Sequence, residues 1–219
     1  MKKQLVWRGG LYLSGMMTIA LGITFSTKSN LGISPMTSAQ YALANCLDAP
    51  FSTTVFCVYM VMVVAQMAIR GRGCGWKYLL QIPSSMVFTT FLSWFETLVN
   101  VPCTLFWQRL LVSVLGSVLV GIGFAVMVDM QIIPNPPDGL IFEVSEATKK
   151  DLGFWKNVFD FTFVVIAGII DLLSDGKLIS IGVGTVLAMI ITGRVVALTN
   201  RLFKEQMLRQ AGMIPLRAK

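Results

Sequence analysis

Two short segments carry the residue types from which a binding site could be built inside an otherwise apolar chain. Residues 31–35 read Leu-Gly-Ile-Ser-Pro, and residues 135–139 read Asn-Pro-Pro-Asp-Gly. Ser34 and Asn135 each precede a proline, an order typical of a helix N-cap followed by proline in the first turn. The N–H groups at such a helix start can bind an anion or a carbonyl oxygen. We therefore expect substrate to bind at five residues: Ser34, Pro35, Asn135, Pro136 and Asp138.

The two prolines predict two short helices, and the sequence allows two placements for them. The stretch after Pro35 carries no charge until Asp48, which suits burial in a membrane. The stretch after Pro136 carries Glu143 and Glu146, which predict one wet face. Both helices could dip inward with their N-termini facing a central site. Alternatively, each could lie flat at a membrane surface.

Asp160 and Arg194 are ionisable residues inside predicted membrane-crossing stretches. An ionisable group in lipid is costly, so it normally pairs with another group or faces a watery cavity. Both residues are expected at a similar depth near the same membrane face, and we therefore predict an ion pair between them. This pair could act as a gate or as a relay for protons or substrate. It could equally be a static contact that orders two helices.

Six apolar stretches must position these residues. The 219-residue chain is 55% hydrophobic and only 13% charged, whereas a soluble domain carries about 25% charged residues. A helix needs roughly 20 apolar residues to cross the hydrocarbon core. Suitable stretches lie at 9–27, 52–68, 78–99, 108–128, 157–173 and 178–199. The sequence thus predicts an all-α polytopic membrane protein with six transmembrane helices and two short proline-led helices.

The placement of the basic residues explains the net charge of +7 without nucleic-acid binding. Lys and Arg cluster before the first stretch, after the second, after the fourth and in the tail. This asymmetry is the positive-inside pattern, so we expect both termini in the cytoplasm. The tail at 201–209 could form a basic amphipathic helix on the inner leaflet.

The fourth stretch repeats the first. Four residues of the first half recur 101 positions later: Arg8, Gly15, Gly22 and Pro35 match Arg109, Gly116, Gly123 and Pro136. Gly15 and Gly22 share one helix face, where another helix could approach closely. Three crossings per half would make the second half enter from the opposite membrane face. We therefore predict one membrane domain with inverted repeats at 1–100 and 101–200 and a basic tail at 201–219.

No motif for catalysis or for a cofactor is evident. The chain has no histidine, and its four cysteines lack metal-ligand spacing, so we expect no metal site. No phosphate-binding loop or nucleophile elbow appears, so we do not expect an enzyme. Cys46 and Cys103 would lie on the same outer side, where a disulfide could form.

The residues quoted above resemble a known family. Arg8 before a glycine-spaced first helix, the segment 31–35, and the Pro-Pro-Asp-Gly-Leu run at 136–140 are similar to the YczE/YyaS/YitT group of bacterial integral membrane proteins. The resemblance spans most of the six-helix region. It implies a small protein of the bacterial inner membrane, and it supplies no catalytic residues to carry over.

An inverted repeat favours a transporter or channel, whose partners would be the lipid bilayer and a small solute or ion, an anion included. Two other functions stay open. The chain could be the substrate-binding membrane subunit of an ATP-driven importer, or a non-transporting accessory or regulatory membrane protein. A homo-oligomer would be compatible with each of these functions.

Overall fold

The computed structural model describes residues 2–71, 75–174 and 176–213, which form α-helices and, within these ranges, no β-strand. In chain order the helices are α1 (Lys2–Ser29), α2 (Pro35–Cys46), α3 (Phe51–Arg70), α4 (Gln81–Leu98), α5 (Phe106–Asp129), α6 (Pro136–Thr148), α7 (Leu152–Ser174) and α8 (Val183–Gln210). Arg72, in the basic cluster after the second apolar stretch, lies outside the described residues, as does the tail from residue 214. The predicted all-α class is confirmed.

Five of the described helices are long and apolar enough to cross a membrane: α1, α3, α5, α7 and α8. The third predicted crossing, α4, is not among them. Its 18 residues are long enough, but polar side chains lower its hydropathy: Gln81, Ser84, Ser85, Thr89, Thr90, Ser93, Glu96 and Thr97. The described helices thus include five candidate spans where the sequence predicted six crossings.

α1 and α5 pack against each other through facing glycines at the centre of the bundle. A Cβ atom built on Gly22 would lie 2.7 Å from the Gly116 carbonyl oxygen, and one built on Gly15 would lie 2.9 Å from that of Gly123. Because the earlier glycine of α1 meets the later glycine of α5, the two helices run antiparallel. The predicted close approach on the glycine face of the first helix is confirmed, and α5 is the partner.

The remaining long helices flank this central pair. α4 packs along α1, and α8 packs along α5. Residues 201–209, expected as a separate amphipathic helix on the inner leaflet, instead form the last turns of α8. Met207 and Ala211 are buried there in the same hydrophobic core as Tyr12 of α1. The C-terminal turns are therefore part of the bundle.

Cations from α1 and α8 hold the C-terminal end of α5. Arg8 donates from Nε to the Met130 carbonyl oxygen at 2.7 Å and from Nη2 to that of Gln131 at 2.9 Å. Lys204 Nζ lies 2.8 Å from Asp129 Oδ1. The N-terminal part of α1 and the C-terminal part of α8 therefore meet at the same end of the bundle.

The other end of α1 is joined to the start of α8 by backbone contacts. Ile33 N donates to the Ser180 carbonyl oxygen at 3.2 Å, and Gly184 N donates to that of Leu31 at 2.7 Å. Gly32 has φ +90°, a conformation that favours glycine. The segment between α1 and α2 is thereby fixed against the second half of the chain.

Local backbone features recur at the 101-residue spacing. Among the described residues, the non-glycine positions with positive φ form two pairs at this spacing: Asn30 with Gln131, and Asp48 with Lys149. Helix starts recur in the same way: Pro35 with Pro136 in α2 and α6, and Phe51 with Leu152 in α3 and α7. The two halves therefore share local geometry as well as residue types.

The cysteines considered for a disulfide are not bonded. Cys46 is exposed at the end of α2, and Cys103 is half-buried before α5. Both are free thiols in this structure.

Candidate functional site

α2 is enclosed by protein. From Ser34 to Ala44 no residue is exposed, and Ser38 and Gln40 are completely buried. The helix packs against α3 and α7, where Ser38 Oγ donates to the Phe163 carbonyl oxygen at 3.4 Å. A helix lying flat at a membrane surface would expose one face, so that alternative does not describe α2.

Ser34 and Asn135 occupy the predicted N-cap positions, and each is followed by proline in the first turn of its helix. Neither side chain makes the capping hydrogen bond that the sequence pattern suggests. The backbone carbonyls of these residues accept instead, from Thr37 N at 2.9 Å and from Gly139 N at 2.8 Å. The side chains of Ser34 and Asn135 are therefore not committed to their own helices.

Ser34 borders a small cavity between α1, the start of α2, α5 and α8. Its volume is about 10 Å³, which is room for one water-sized guest. Five hydroxyl-bearing residues from α1, the start of α2, α5 and α8 surround it: Ser26, Ser34, Thr37, Ser117 and Thr192. The rest of the lining is apolar: Ile23, Ile33, Val120 and Ala188.

Four of these hydroxyls already donate their hydrogen atoms to backbone carbonyl oxygens. The bonds are Ser26 Oγ to Gly22 at 3.1 Å, Thr37 Oγ1 to Ser34 at 3.1 Å, Ser117 Oγ to Ser113 at 2.9 Å, and Thr192 Oγ1 to Ser117 at 3.4 Å. A hydroxyl that donates its hydrogen keeps only its oxygen lone pairs for another partner. The hydrogen atoms of these four hydroxyls are therefore already engaged within the protein.

The second proline-led segment binds a pair of buried glutamines. Gln66 of α3 and Gln81 of α4 donate to each other, at 3.1 and 2.9 Å, and Gln66 Nε2 also donates to the Pro136 carbonyl oxygen at 3.0 Å. Gly139 leaves room for this arrangement, because a Cβ atom there would lie 2.5 Å from Gln66 Oε1. The start of α6 is thus fixed to α3 and α4 by side-chain amides.

The C-terminal half of α6 is held at the end of α3. Glu143 is buried and accepts from Tyr78, while Arg70 Nη1 lies 3.5 Å from Glu143 and 2.7 Å from Glu146. The expected wet face of α6 is therefore partly covered, with Glu146 on its open side. Since Pro136 contacts Gln66 and Glu143 contacts the last residue of α3, α6 starts deeper in the bundle than it ends.

Asp138 lies beside charges from α7, but the predicted ion pair of Asp160 with Arg194 is not formed. Asp160 Oδ2 lies 3.8 Å from Lys156 Nζ, one turn earlier on the same helix. Both Lys156 and Asp160 are close enough to act electrostatically on Asp138. Arg194 is exposed on α8 and makes no ion pair within the described ranges. A cation on the same helix was a nearer partner for Asp160.

The two proline-led segments contact different parts of α1 but approach the same stretch of α7. The cavity beside Ser34 touches α1 at Ile23, and no residue of the second segment lines it, whereas the carbonyl of Ile133 accepts from Tyr12 Oη at 3.0 Å. On α7, Ser38 contacts Phe163, and Asp138 is close enough to Asp160, three residues earlier, for an electrostatic interaction. A joint substrate site at Ser34, Pro35, Asn135, Pro136 and Asp138 stays a prediction.

A family model described as "Family of unknown function (DUF6198)" matches residues 6–201 of this chain. The chain belongs to this family. It is also 26% identical over 197 residues to the uncharacterized membrane protein YczE of Bacillus subtilis (strain 168), with 88% of this chain and 85% of that protein covered. No solved structure matches it. The predicted resemblance to YczE-like membrane proteins is confirmed.

The part of the chain that matches DUF6198 contains both proline-led segments, the small cavity beside Ser34 and the glutamine pair. Sequence reasoning missed most of the polar residues at these sites. Gln66 had a readable signal, as the only strongly polar residue of its apolar stretch. Ser26, Ser117 and Thr192 had none, because single hydroxyl residues are common in membrane helices and become a group only through packing.

Proposed function

We propose that this member of the DUF6198 family is a transporter that moves a small solute across the bacterial inner membrane by alternating motion of its two halves. The observation behind the proposal is the inward placement of α2 and α6, whose first turns lie deeper than their last. A helix that starts inside a bundle leaves several backbone N–H groups without helical partners. Transporters place such half-helices at their binding sites.

The direction of α2 follows from its neighbours on α7. Ser38 contacts Phe163, whereas Tyr41 lies close enough to Asp171 for an electrostatic interaction. Asp171 is in the last turn of α7, so α2 also runs from the interior toward one end of the bundle. α6 runs toward the opposite end, where α3 finishes at Arg70.

An inverted repeat with six crossings is part of this proposal. The antiparallel glycine contact between α1 and α5 supports it, as does the recurrence of helix starts and backbone conformations after 101 residues. α4 would be the sixth crossing, with its polar residues facing protein or a solute path instead of lipid. Arg8 and Lys204 lie together at one end, which would be cytoplasmic by the positive-inside rule.

The carboxyl group of Asp138, in the first turn of α6, bears on the class of solute. A carboxyl group at this helix start does not favour the anion that helix N-termini alone suggested. A neutral solute with hydrogen-bond donors, or a cation, suits it better.

Access to the two segments from the two sides of the membrane tests this proposal. In a chain whose four cysteines are replaced by alanine, Ser34→Cys and Asn135→Cys are introduced singly and exposed to a membrane-impermeant maleimide from either side. Ser38→Cys is the matched control, because Ser38 lies in α2 and is completely buried. We expect Ser34→Cys to react from outside and Asn135→Cys from inside, each faster than the control.

A chain that carries both Ser34→Cys and Asn135→Cys tests whether the two halves move in alternation. Modifying Ser34→Cys with a bulky reagent should hold the outer half open and slow the reaction at Asn135→Cys from inside. Rates at both sites no faster than at Ser38→Cys would contradict transport and favour an accessory role. Independent reaction of the two sites would contradict alternating motion.

A further inference from the structure

We propose that a groove between α3 and α4 binds a membrane lipid with an uncharged, hydroxyl-bearing headgroup. The groove has a volume of about 630 Å³, and small-molecule sites in proteins have volumes of about 300–1,000 Å³. Nine residues of the two helices line it: Ser52, Thr53, Phe56, Met86, Thr89, Thr90, Ser93, Trp94 and Thr97. The inference concerns a different face of the protein from the proline-led segments and does not depend on transport.

α3 and α4 run antiparallel, so each end of the groove has a defined depth. Gln66 bonds to Gln81 at one end of the helix pair, and Ser52 lies beside Glu96 at the other. α3 is long and apolar enough to cross a membrane, and the groove follows its first two turns. The groove therefore extends inward from the membrane surface at which α3 begins.

The lining changes from polar to apolar with depth. Phe56 and Met86 are the lining residues of α3 and α4 that lie farthest from this surface. Trp94 is half-exposed nearer to the surface, a common place for tryptophan in membrane proteins. Four hydroxyl residues lie at the same level as Trp94: Ser52, Thr53, Ser93 and Thr97. A lipid would place its headgroup among these hydroxyls and its acyl chain along Phe56 and Met86.

The hydroxyls of the groove can both donate and accept hydrogen bonds. Thr90 Oγ1 and Thr97 Oγ1 donate to carbonyl oxygens of their own helix, at 2.7 and 2.8 Å, so their lone pairs remain for a ligand. The hydroxyls of Thr53 and Ser93 are not used in hydrogen bonds by the described residues. All four side chains are exposed. A headgroup with several hydroxyls can satisfy both kinds of partner.

An uncharged headgroup suits the groove better than a phosphate. Among the described residues that line the groove, none is charged, whereas proteins normally bind phosphate with arginine or lysine. Glu96 lies beside Ser52, and Lys28 of α1 is close enough to act on Glu96. Because these two charges offset each other, this end of the groove does not select for an anionic lipid.

The second half of the chain lacks these hydroxyls. Three threonines of the groove have apolar counterparts in α8 at the 101-residue spacing: Ile190 for Thr89, Ile191 for Thr90 and Leu198 for Thr97. Ile190 and Leu198 are exposed, as side chains that face acyl chains can be. The repeated fold therefore does not require hydroxyls at these positions, and a ligand in the groove accounts for them.

A second copy of this chain is the alternative occupant. A two-fold contact centred on the groove would bring the same concave surface of both copies together. Two facing grooves would leave their volume unfilled, whereas a lipid fills the groove of each chain separately. The oligomeric state is therefore measured together with lipid binding.

The experiment uses the purified full chain in lauryldimethylamine oxide, because a maltoside detergent carries an uncharged hydroxyl headgroup of its own. Native mass spectrometry compares the binding of monoglucosyl diacylglycerol, phosphatidylglycerol and phosphatidylethanolamine with identical acyl chains. We expect the glucolipid to bind about tenfold more tightly than either phospholipid, the effect of one or two additional hydrogen bonds. It should also raise the melting temperature as its concentration increases.

Fluorescence tests whether the lipid lies beside Trp94. In a chain whose other four tryptophans are replaced by phenylalanine, glucolipid that carries bromine on its acyl chains should quench the emission of Trp94. Brominated phosphatidylglycerol at the same concentration should quench it less.

Isosteric variants connect the binding to the groove. Thr90→Val and Thr97→Val each remove one oxygen, and we expect the Kd of the glucolipid to rise about fivefold for each, the loss of one hydrogen bond. Thr97→Ser keeps the oxygen and should bind as the native chain does. Thr162→Val is the matched control, because Thr162 Oγ1 also donates within its helix, to the Val158 carbonyl oxygen at 2.7 Å, on the exposed face of α7.

Five results would each overturn the proposal. Equal affinity for the three lipids would mean that the groove is an ordinary contact with the bilayer, and tighter binding of phosphatidylglycerol would assign an anionic headgroup. Glucolipid binding that both valine variants leave unchanged while they remain folded, without quenching of Trp94, would place the lipid elsewhere. A lipid-free dimer that both variants dissociate would assign a second copy of the chain. Competition by free glucose as strong as by the glucolipid would assign a soluble solute. None of these results bears on the maleimide test of transport.

Discussion

Gln66 and Gln81 hold each other by reciprocal hydrogen bonds in the interior of the bundle, at 3.1 and 2.9 Å. They lie near the end of α3 and at the start of α4, and they join the two helices across the short connection between them. Gln66 also donates to the carbonyl of Pro136, so the pair links the first half of the chain to the start of α6 in the second.

Removing one amide of this pair should destabilise the protein. Gln66→Leu leaves the buried side-chain amide of Gln81 without its partner, and we expect a loss of about 1–3 kcal/mol in the free energy of unfolding. Gln66→Leu with Gln81→Leu should cost less than the sum of the single variants, because the orphaned amide is then gone. Chemical denaturation in detergent measures the three values. Gln206→Leu, at an exposed position, is the control; additive losses would contradict the coupling.

Replacing glycine with alanine should have different effects on stability at two positions of α1, because only one of the two glycines contacts α5. Gly22→Ala places a Cβ atom 2.7 Å from the Gly116 carbonyl oxygen, and we expect it to cost about 1–3 kcal/mol through separation of the helices. Gly10→Ala meets no atom within 4 Å and should be neutral or stabilise by about 0.5–1 kcal/mol, the helix preference for alanine. Melting temperatures of the purified variants distinguish them. Equal melting temperatures would show that α1 and α5 do not pack closely.

Arg8 and Arg109 match in sequence, but their contacts predict unequal importance. Arg8 donates two hydrogen bonds to the end of α5, whereas Arg109 Nε donates to the Cys103 carbonyl oxygen at 3.3 Å. Because hydrogen bonds from charged groups contribute about 1.5–3 kcal/mol, Arg8→Met should lower the melting temperature more than Arg109→Met. Arg8→Lys should recover only part of the loss, since one ammonium cannot reproduce the guanidinium fork. A larger effect at Arg109 would contradict the capping role of Arg8.

Lys204 supplies the cation for a buried carboxylate. Asp129 is 5% exposed and its Oδ2 has no hydrogen-bond partner in the structure, so Lys204→Met leaves the charge of Asp129 uncompensated. Since Lys204 itself is half-exposed, we expect Lys204→Met to lower the free energy of unfolding by roughly 1–2 kcal/mol, less than the loss of a fully buried pair. Adding Asp129→Asn should recover most of it. The exposed Arg201→Met is the control, and a loss that Asp129→Asn does not recover would mean that the Lys204 stem, not its charge, stabilises this end.

The helices and their central contact could be predicted from the sequence because both depend on short-range patterns. Apolar length locates the long helices, Pro35 and Pro136 begin the short ones, and the spacing of Gly15 and Gly22 indicates a face for close packing. These signals lie within one helix or its cap. The structure adds the partner helix and its antiparallel direction.

The candidate site was harder to predict because it depends on relations between helices. The predicted ion pair of Asp160 with Arg194 is not formed, because Lys156 lies one turn from Asp160 on the same helix. A depth estimated from sequence does not tell which side of a helix a residue lies on. The joint site at Ser34 and Asn135 stays a prediction, because the direction in which α2 and α6 turn after their long helices is set by packing between helices, which the sequence does not record.

The antiparallel contact between α1 and α5 also sets an order of events during biosynthesis. α1 leaves the ribosome well before its partner has been translated, so its glycine face and Arg8 must first meet lipid or an insertase. The first half therefore enters the membrane as an incomplete module, with the amides of Gln66 and Gln81 already available to each other. Only the arrival of α5 covers the glycines and gives Arg8 its carbonyl acceptors. A ribosome stalled before residue 129 would hold a nascent chain whose α1 glycines are uncovered and whose Arg8 lacks both of its carbonyl acceptors.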